Sequence, residues 1–321
     1  MAGKRWQRGS HQFKFMISVI ICSAKVQDLK EVKQNIAKTI GVPYEIIAYD
    51  NSDGKRGICE VYNAGARQAQ YDILCFMHED IEMKTLGWGS SMIHLFSENP
   101  EVGLVGVAGG GYKSVTPSGW YNYDIEKNGG AYSNVFQGYK RDGLPDTHDY
   151  NNPKNEAFSK VACVDGCWLS MPKSVWQQCP FDEKLLKHFH GYDLDISLSV
   201  NQYYDVVVSF NVPLRHFSEG NYDHKWFGEM LKVHEKWSHI LPIDADHVIN
   251  ADLAFNEKRA FRRFLQNSVN EGISRFRLIK VIWNAMPSRL IGLSMVMKLC
   301  FALIKMEKKT PVPRINDQML Y

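Results

Sequence analysis

Short apolar runs alternate with longer amphipathic stretches through the first third of the chain. Phe15–Cys22 (FMISVIIC) is a β-branched run with a single polar position, the pattern of a strand buried on both faces. Asp28–Ile40 follows with Leu29, Val32, Ile36 and Ile40 at helical spacing, and Tyr44–Tyr49 (YEIIAY) is a second strand after a Gly41–Pro43 break. The spacing then predicts a helix over Gly57–Gln70 leading into a strand at Tyr71–Met77, and a helix over Trp88–Ser97 leading into Val102–Val107. Four strands alternating with three helices predict an α/β fold with a mostly parallel central sheet and helices on both faces. Right-handed crossovers place the carboxyl ends of these strands on one rim, where such sheets bind ligands.

Between Tyr112 and Phe158 the periodicity fails among Gly, Asn, Asp and many aromatics, and so long a stretch implies hairpins or a lid. Regular patterning resumes with a strand in Val161–Met171, a short helix at Pro172–Gln178, a helix at His190–Gln202 opened by acidic residues, a strand at Val206–Pro213 and a helix at Asn221–Ser238. Three parts are expected: a basic tail at residues 1–14, a catalytic-sized domain at 15–250, and a separate basic helical extension at 251–321.

Charge sharpens that division. The net charge of +3 conceals an extension with 13 Lys and Arg against 5 Asp and Glu, and a remainder in which acidic residues prevail. In the extension, Ser294, Lys298, Ala302 and Lys305 form a narrow polar stripe on an otherwise apolar segment, which predicts a helix lying on a surface rather than crossing a bilayer. Peripheral contact with anionic lipid is the expected partner; a basic cluster beside so apolar a segment, without a recognised module, argues against nucleic acid. Seven cysteines, odd in number and without a CxxC, suit reduced thiols and a cytoplasmic site, at the inner face of the membrane, and no secretory signal is read at the N-terminus.

The predicted rim gathers Ser23 after the first strand, Asp50 and Asn51 after the second, and His78, Glu79 and Asp80 after the third. Acidic groups there suit a metal-bridged anion. The first turn, Cys22-Ser23-Ala24-Lys25, contains neither GxGxxG nor GxxxxGK[ST], and the glycines of Gly103–Gly111 lack dinucleotide spacing, so Rossmann and P-loop readings lose their support. His188, His190, Cys163 and Cys167 have zinc-like types without a second pair at finger or ribbon spacing, and no GxSxG or HExxH occurs.

Five segments in order, ISVIICS, EIIAYDNSDG, EVYNAGARQAQYDILCFMHED, VDGCWLSMPKSVW with FDE, and HGYDLDISLS, resemble the GT-A-fold glycosyltransferases of family 2, in a bacterial branch where H-x-D replaces D-x-D. The resemblance covers about residues 15–240 and implies a nucleotide-sugar donor, UDP- or GDP-linked, a divalent cation, Mn²⁺ or Mg²⁺, and transfer to a glycan acceptor of the cell envelope or surface. It implies Asp50, with Ser23, Asn51 and Asn63, on the nucleotide side. Asp80 matches the metal-binding Asp, with His78 at the position of the first Asp, and His216 matches a late histidine at the metal or diphosphate. Asp193 matches the general base of an inverting transfer, with Tyr192 where the family has Glu and Asp195 turned elsewhere, capping or pairing. Asp165, Gly166, Trp168 and Tyr192 fall on the acceptor side, and Arg215 could meet a phosphate oxygen. The departures at His78 and Tyr192 keep open a nucleotide-sugar-binding module without turnover, and the shared metal chemistry keeps open a nucleotidyltransferase.

Overall fold

The computed structural model describes residues 16–123, 130–138, 145–217, 223–245, 253–288 and 290–309. The expected N-terminal tail, parts of the aromatic stretch and the last residues of the extension lie outside them.

The chain opens as its pattern predicts. Strand β1 (Ile17–Ser23), helix α1 (Val26–Thr39), β2 (Tyr44–Asp50), α2 (Ile58–Gln68) and β3 (Ile73–His78) form consecutive crossovers, with β2 and β3 both parallel to β1. Side chains alternate across this sheet: Ile17, Val19 and Ile21 with Ile73, Cys75 and Met77 enter one core, while Ile20, Leu74 and Phe76 enter the other. Helix α1 and helix α3 (Trp88–Glu98) cover the first face through Val32, Ile36, Trp88 and Met92. Helix α2 covers the second, so closely that any side chain at Gly65 would overlap Ile20.

The fourth expected strand, β5 (Val102–Gly106), has the same direction but not the expected neighbour. Between β3 and β5 lies β12 (Trp168–Pro172), antiparallel to both. β13 (Asp205–Ser209) adds parallel to β5, and β10 (Phe158–Val161) closes the edge antiparallel to it. The result is a seven-stranded, mostly parallel sheet in the order β10-β13-β5-β12-β3-β1-β2.

A second sheet stands across the carboxyl-end rim. It is built from β4 (Ile81–Met83), β6 (Ala108–Gly110), β8 (Ala131–Gln137), β11 (Cys163–Val164) and β14 (Leu214–His216), ordered β11-β6-β8-β14-β4, with β9 (Thr147–Asn151) paired to β8. The irregular aromatic stretch therefore contributes the β8–β9 hairpin and a loop from β7 (Tyr112–Lys113) to Tyr123.

The remaining helices are α4 (Lys173–Gln178), α5 (Tyr192–Asn201), α6 (His224–Trp237), α7 (Leu253–Asn270), α8 (Arg275–Asn284) and α9 (Leu293–Lys305). Before α7, the two-residue strand β15 (Ile243–Asp244) pairs with β7. The C-terminal helices are not a separate body: Phe261, Phe264, Leu265, Leu278, Ile282, Leu299 and Leu303 belong to the same core as α2 and α5. Glu257 of α7 is fully buried and accepts hydrogen bonds from the Tyr112 hydroxyl, the Ser114 hydroxyl, the Val115 N–H and the Thr116 hydroxyl, at 2.7–3.0 Å. Among the described residues, no helix is long and apolar enough to cross a membrane, and all seven cysteines are free.

Candidate active site

The rim site forms where the two sheets meet. β3 of the large sheet ends at His78, two residues carry the chain round a corner, and Ile81 begins β4 of the second sheet. β14 pairs antiparallel with β4 so that His216 stands opposite Ile81, beside Asp80. Residues 138 positions apart in sequence thus converge: His216 Nε2 lies 3.6 Å and His78 Nδ1 3.8 Å from the same Asp80 carboxylate oxygen. One ligand atom from each of the three can be chosen with all within 4.8 Å of one another. The imidazole rings are 5.7 Å apart, and Asp80 and His216 are mostly buried.

His216 Nε2 is buried and has no hydrogen-bond partner among the described residues, although it faces a carboxylate. A buried polar atom left in this state has a standing need for a partner. A cation bound between the imidazole and Asp80 would meet it, so the donor set fits a divalent ion. Two imidazoles and one carboxylate suit Mn²⁺ better than Mg²⁺, which prefers oxygen throughout.

Helix α5 starts against this cluster. Gly191, in the left-handed region at φ +77°, turns the chain into the helix, and Tyr192 fills the gap behind His78. The Tyr192 hydroxyl is 2.7 Å from His78 Nε2 and donates to the Gly166 carbonyl at 3.0 Å. Asp193, next in sequence, is partly buried, and burial, with the charge of Asp165 adding to it, pushes its pKa up to about 7. Asp165 in turn accepts the Trp120 indole N–H at 2.9 Å and the Cys167 N–H at 2.8 Å. Asp195, on the opposite side of the helix, binds Lys236 and the Trp237 indole N–H, the pairing expected of it.

Other residues singled out in the sequence take different positions. Asp50 is exposed at the end of β2, its carboxylate accepting the Ser52 N–H, which holds its pKa below the usual value and leaves a charged group on the rim. Ser23 is buried and gives its hydroxyl to Glu79 at 2.5 Å, while Glu79 also accepts the N–H groups of Ala24 and Lys25. Glu79 thus closes the first rim loop, a role that no sequence signal announced. Asn51 is buried and clasps both the N–H and the carbonyl of Arg56.

Asn63 does not face a nucleotide: it is buried under the rim, bonded to the Phe181 backbone, Glu183 and the Trp176 indole, because a helix polar group facing the core must find partners there. Trp168 cannot stack on an acceptor, being fully buried in the sheet against Trp88. Gly166 is small for a reason other than access to a sugar, since any side chain there would overlap the Tyr192 ring. The Tyr192 hydroxyl is likewise directed inward. Arg215 points to the opposite face of β14 from His216, where it pairs with Asp146 at 2.5 Å and covers the Phe217 ring.

Comparison with known proteins places this geometry in a family. No curated protein matches the chain. Among solved structures, S. aureus TarS superposes with a TM-score of 0.51 at 12% identity, covering 90% of this chain and 53% of TarS. GalNAc-T7, crystallised with UDP, GalNAc and Mn²⁺, superposes at 0.47 and 11% identity, covering 88% of this chain and 56% of that one. The chain thus spans about half the length of either neighbour, and the TarS likeness concerns the fold, the GT-A arrangement of a mostly parallel sheet with a second sheet across its rim. The model of a glycosyltransferase-like family matches residues 17–230, from the first strand into the helix that follows His216, and the chain belongs to that family.

Proposed function

We propose that this chain transfers a sugar from a nucleotide-sugar, UDP- or GDP-linked, to a hydroxyl of an envelope or surface glycan, with inversion at the anomeric carbon. The observation that carries this reading is the contact between Tyr192 and His78, which seats the start of helix α5 against the His78, Asp80 and His216 cluster, with Asp193, a carboxylate whose pKa is pushed up to about 7, as the next residue of that helix. A base must be largely unprotonated at working pH yet still accept a proton, and a pKa near 7 meets both demands.

In the proposed step, Asp193 removes the proton of the acceptor hydroxyl as that oxygen bonds to the anomeric carbon. The bond from that carbon to the diphosphate breaks, and its electron pair leaves with the nucleoside diphosphate. Asp80, His78 and His216 would hold a divalent cation, which when bound neutralises charge developing on the diphosphate. Asp50 is the exposed carboxylate suited to accept hydrogen bonds from the donor's ribose or base. Asp165, fixed by Trp120, keeps Asp193 from ionising too early and borders the acceptor.

The extension supports a membrane-facing acceptor. Helix α9 buries Val296, Leu299 and Leu303 and exposes Leu293, Met297, Phe301 and Ile304, with Lys298 and Lys305 among them. Lys305 lies over the Phe301 ring, and Phe276 and Trp283 of α8 are also exposed. An apolar stripe edged by lysines is suited to the headgroup region of an anionic leaflet. The enzyme would then act at the inner face of the membrane on a lipid-linked acceptor.

The test is nucleotide release by the purified chain from UDP-, GDP-, dTDP- and CMP-sugars, each with Mn²⁺, Mg²⁺ or EDTA and a lipid-linked glycan acceptor. Cation-dependent release from one nucleotide class, lost in Asp193→Asn, supports the proposal. Donor binding without release would favour a binding module, and pyrophosphate from a nucleoside triphosphate would favour a nucleotidyltransferase.

A further inference from the structure

Tyr192 and His78 are the two positions at which the chain departs from the family pattern it resembles, and they touch. The proton arrangement at this contact turns on its third member. The Gly166 carbonyl, 3.0 Å away, can only accept, which makes it the partner to which Tyr192 can give its single hydroxyl proton without fixing the imidazole as an acceptor. With the proton given to Gly166, the phenol oxygen acts as acceptor toward His78 Nε2, 2.7 Å away, and Nε2 carries the proton. A neutral imidazole protonated at Nε2 has a bare Nδ1, and Nδ1 is the atom that faces Asp80 at 3.8 Å. Two donors each ~2.1 Å from one ion lie ~3 to 4 Å apart, and both the 3.8 Å from His78 and the 3.6 Å from His216 to Asp80 fall in that range.

The arrangement is built deeply enough to hold. Tyr192 is 4% exposed and packs against Tyr62 at 5.9 Å between ring centres. Gly166 has no side chain that could displace the ring. From these contacts we infer that Tyr192 is a positioning residue, which holds His78 in the Nε2–H tautomer and so presents the Nδ1 lone pair to a divalent cation shared with Asp80 and His216. The phenol, together with the Gly166 carbonyl behind it, takes the place that a carboxylate or carbonyl takes behind many metal-binding histidines. This rests on the cation reading proposed above.

Two measurements on the full-length protein test it. In the metal-free protein labelled with ¹⁵N-histidine, the His78 signals, assigned by their loss in His78→Gln, should show a pyridine-type Nδ1 and a pyrrole-type Nε2. The opposite tautomer, or an equal mixture, would overturn the assignment without reference to any metal. Titration with Mn²⁺ alone, followed by the electron paramagnetic resonance of the free ion, should then show affinity about 10- to 100-fold weaker in Tyr192→Phe than in the unaltered protein. Equal affinity in a folded Tyr192→Phe would overturn the positioning role. Should that variant fail to fold, the nitrogen shifts of the unaltered protein still decide the tautomer. Absence of Mn²⁺ binding to the unaltered protein would overturn the cation reading, and with it the ligand role of Nδ1.

Discussion

The charge of Asp165 reaches Asp193 and, after burial, is the main influence raising its pKa to about 7. Asp165 is itself fixed by the Trp120 indole and the Cys167 N–H, so the distance over which it acts is set by the fold rather than by a mobile side chain. In Asp165→Asn that repulsion disappears and Asp193 ionises more readily. The acid limb of the pH–rate profile for nucleotide release should move to lower pH. An unmoved limb would mean that Asp193 is not the titrating base.

Asp193→Asn should slow transfer by about 10²- to 10⁴-fold, the usual contribution of a general base. It should also stabilise the fold in a pH-dependent manner. Because the folded value of about 7 lies above the ordinary carboxylate value of 3.8, ionisation is harder in the fold than in the unfolded chain. The resulting penalty is absent below about pH 4, grows as pH rises, and is complete above about pH 7. Melting of the metal-free protein should therefore show a larger gain for the variant at pH 8 than at pH 4.

Removal of the cation with EDTA should abolish nucleotide release, and Mn²⁺ should restore it better than Mg²⁺. His216→Ala deletes the buried Nε2 that faces Asp80, and should weaken Mn²⁺ binding by at least about tenfold, since even residues behind a ligand contribute that much. Calorimetric titration of the variant and the parent protein provides the comparison.

Glu257→Ala should destabilise the whole domain by about 3–5 kcal/mol, because several buried donors lose a shared charged acceptor. Those donors are Tyr112, Ser114, Val115 and Thr116. Urea unfolding measures the loss directly. Removal of the entire extension would also remove Glu257 and part of the main core, so it is an unsuitable test of membrane contact.

Point variants on the exposed stripe are the suitable ones. Met297 and Phe301 are more than half exposed, and Met297→Glu with Phe301→Glu should leave the melting temperature unchanged. Co-sedimentation with vesicles rich in anionic lipid should fall sharply in the double variant. Unchanged co-sedimentation would assign the stripe another role.

The first three strands and three helices were readable because their signals are local: each run of apolar residues reports its own burial. The insertion of β12 between β3 and β5 was not, since antiparallel pairing of Leu169 with Phe76 is a relation across 93 residues that neither segment states. The rim residues Asp80, His78 and His216 were legible through family resemblance, and β14 pairing explains why they meet. Asn63 and Trp168 misled for a common reason. A polar helix residue or a tryptophan can face inward or outward, and the choice depends on neighbours such as Trp176 and Trp88 that lie far off in sequence. In α9 the periodicity identified a surface-lying helix but not which of its apolar residues pack on the domain and which stay exposed, because both of its faces are hydrophobic.

The burial of Glu257 also orders events during synthesis. Domains emerge from the ribosome N-terminal end first, and every residue placed at the candidate active site, from Asp50 to His216, is made before Glu257. Yet the 112–116 loop acquires its central acceptor only when α7 has been made and has docked. A nascent chain halted before that point carries the chemical groups without the finished loop. Completion of the fold thus waits on the same C-terminal helices whose exposed apolar stripe is proposed to meet lipid, so that surface is presented only by a chain whose 112–116 loop can already close.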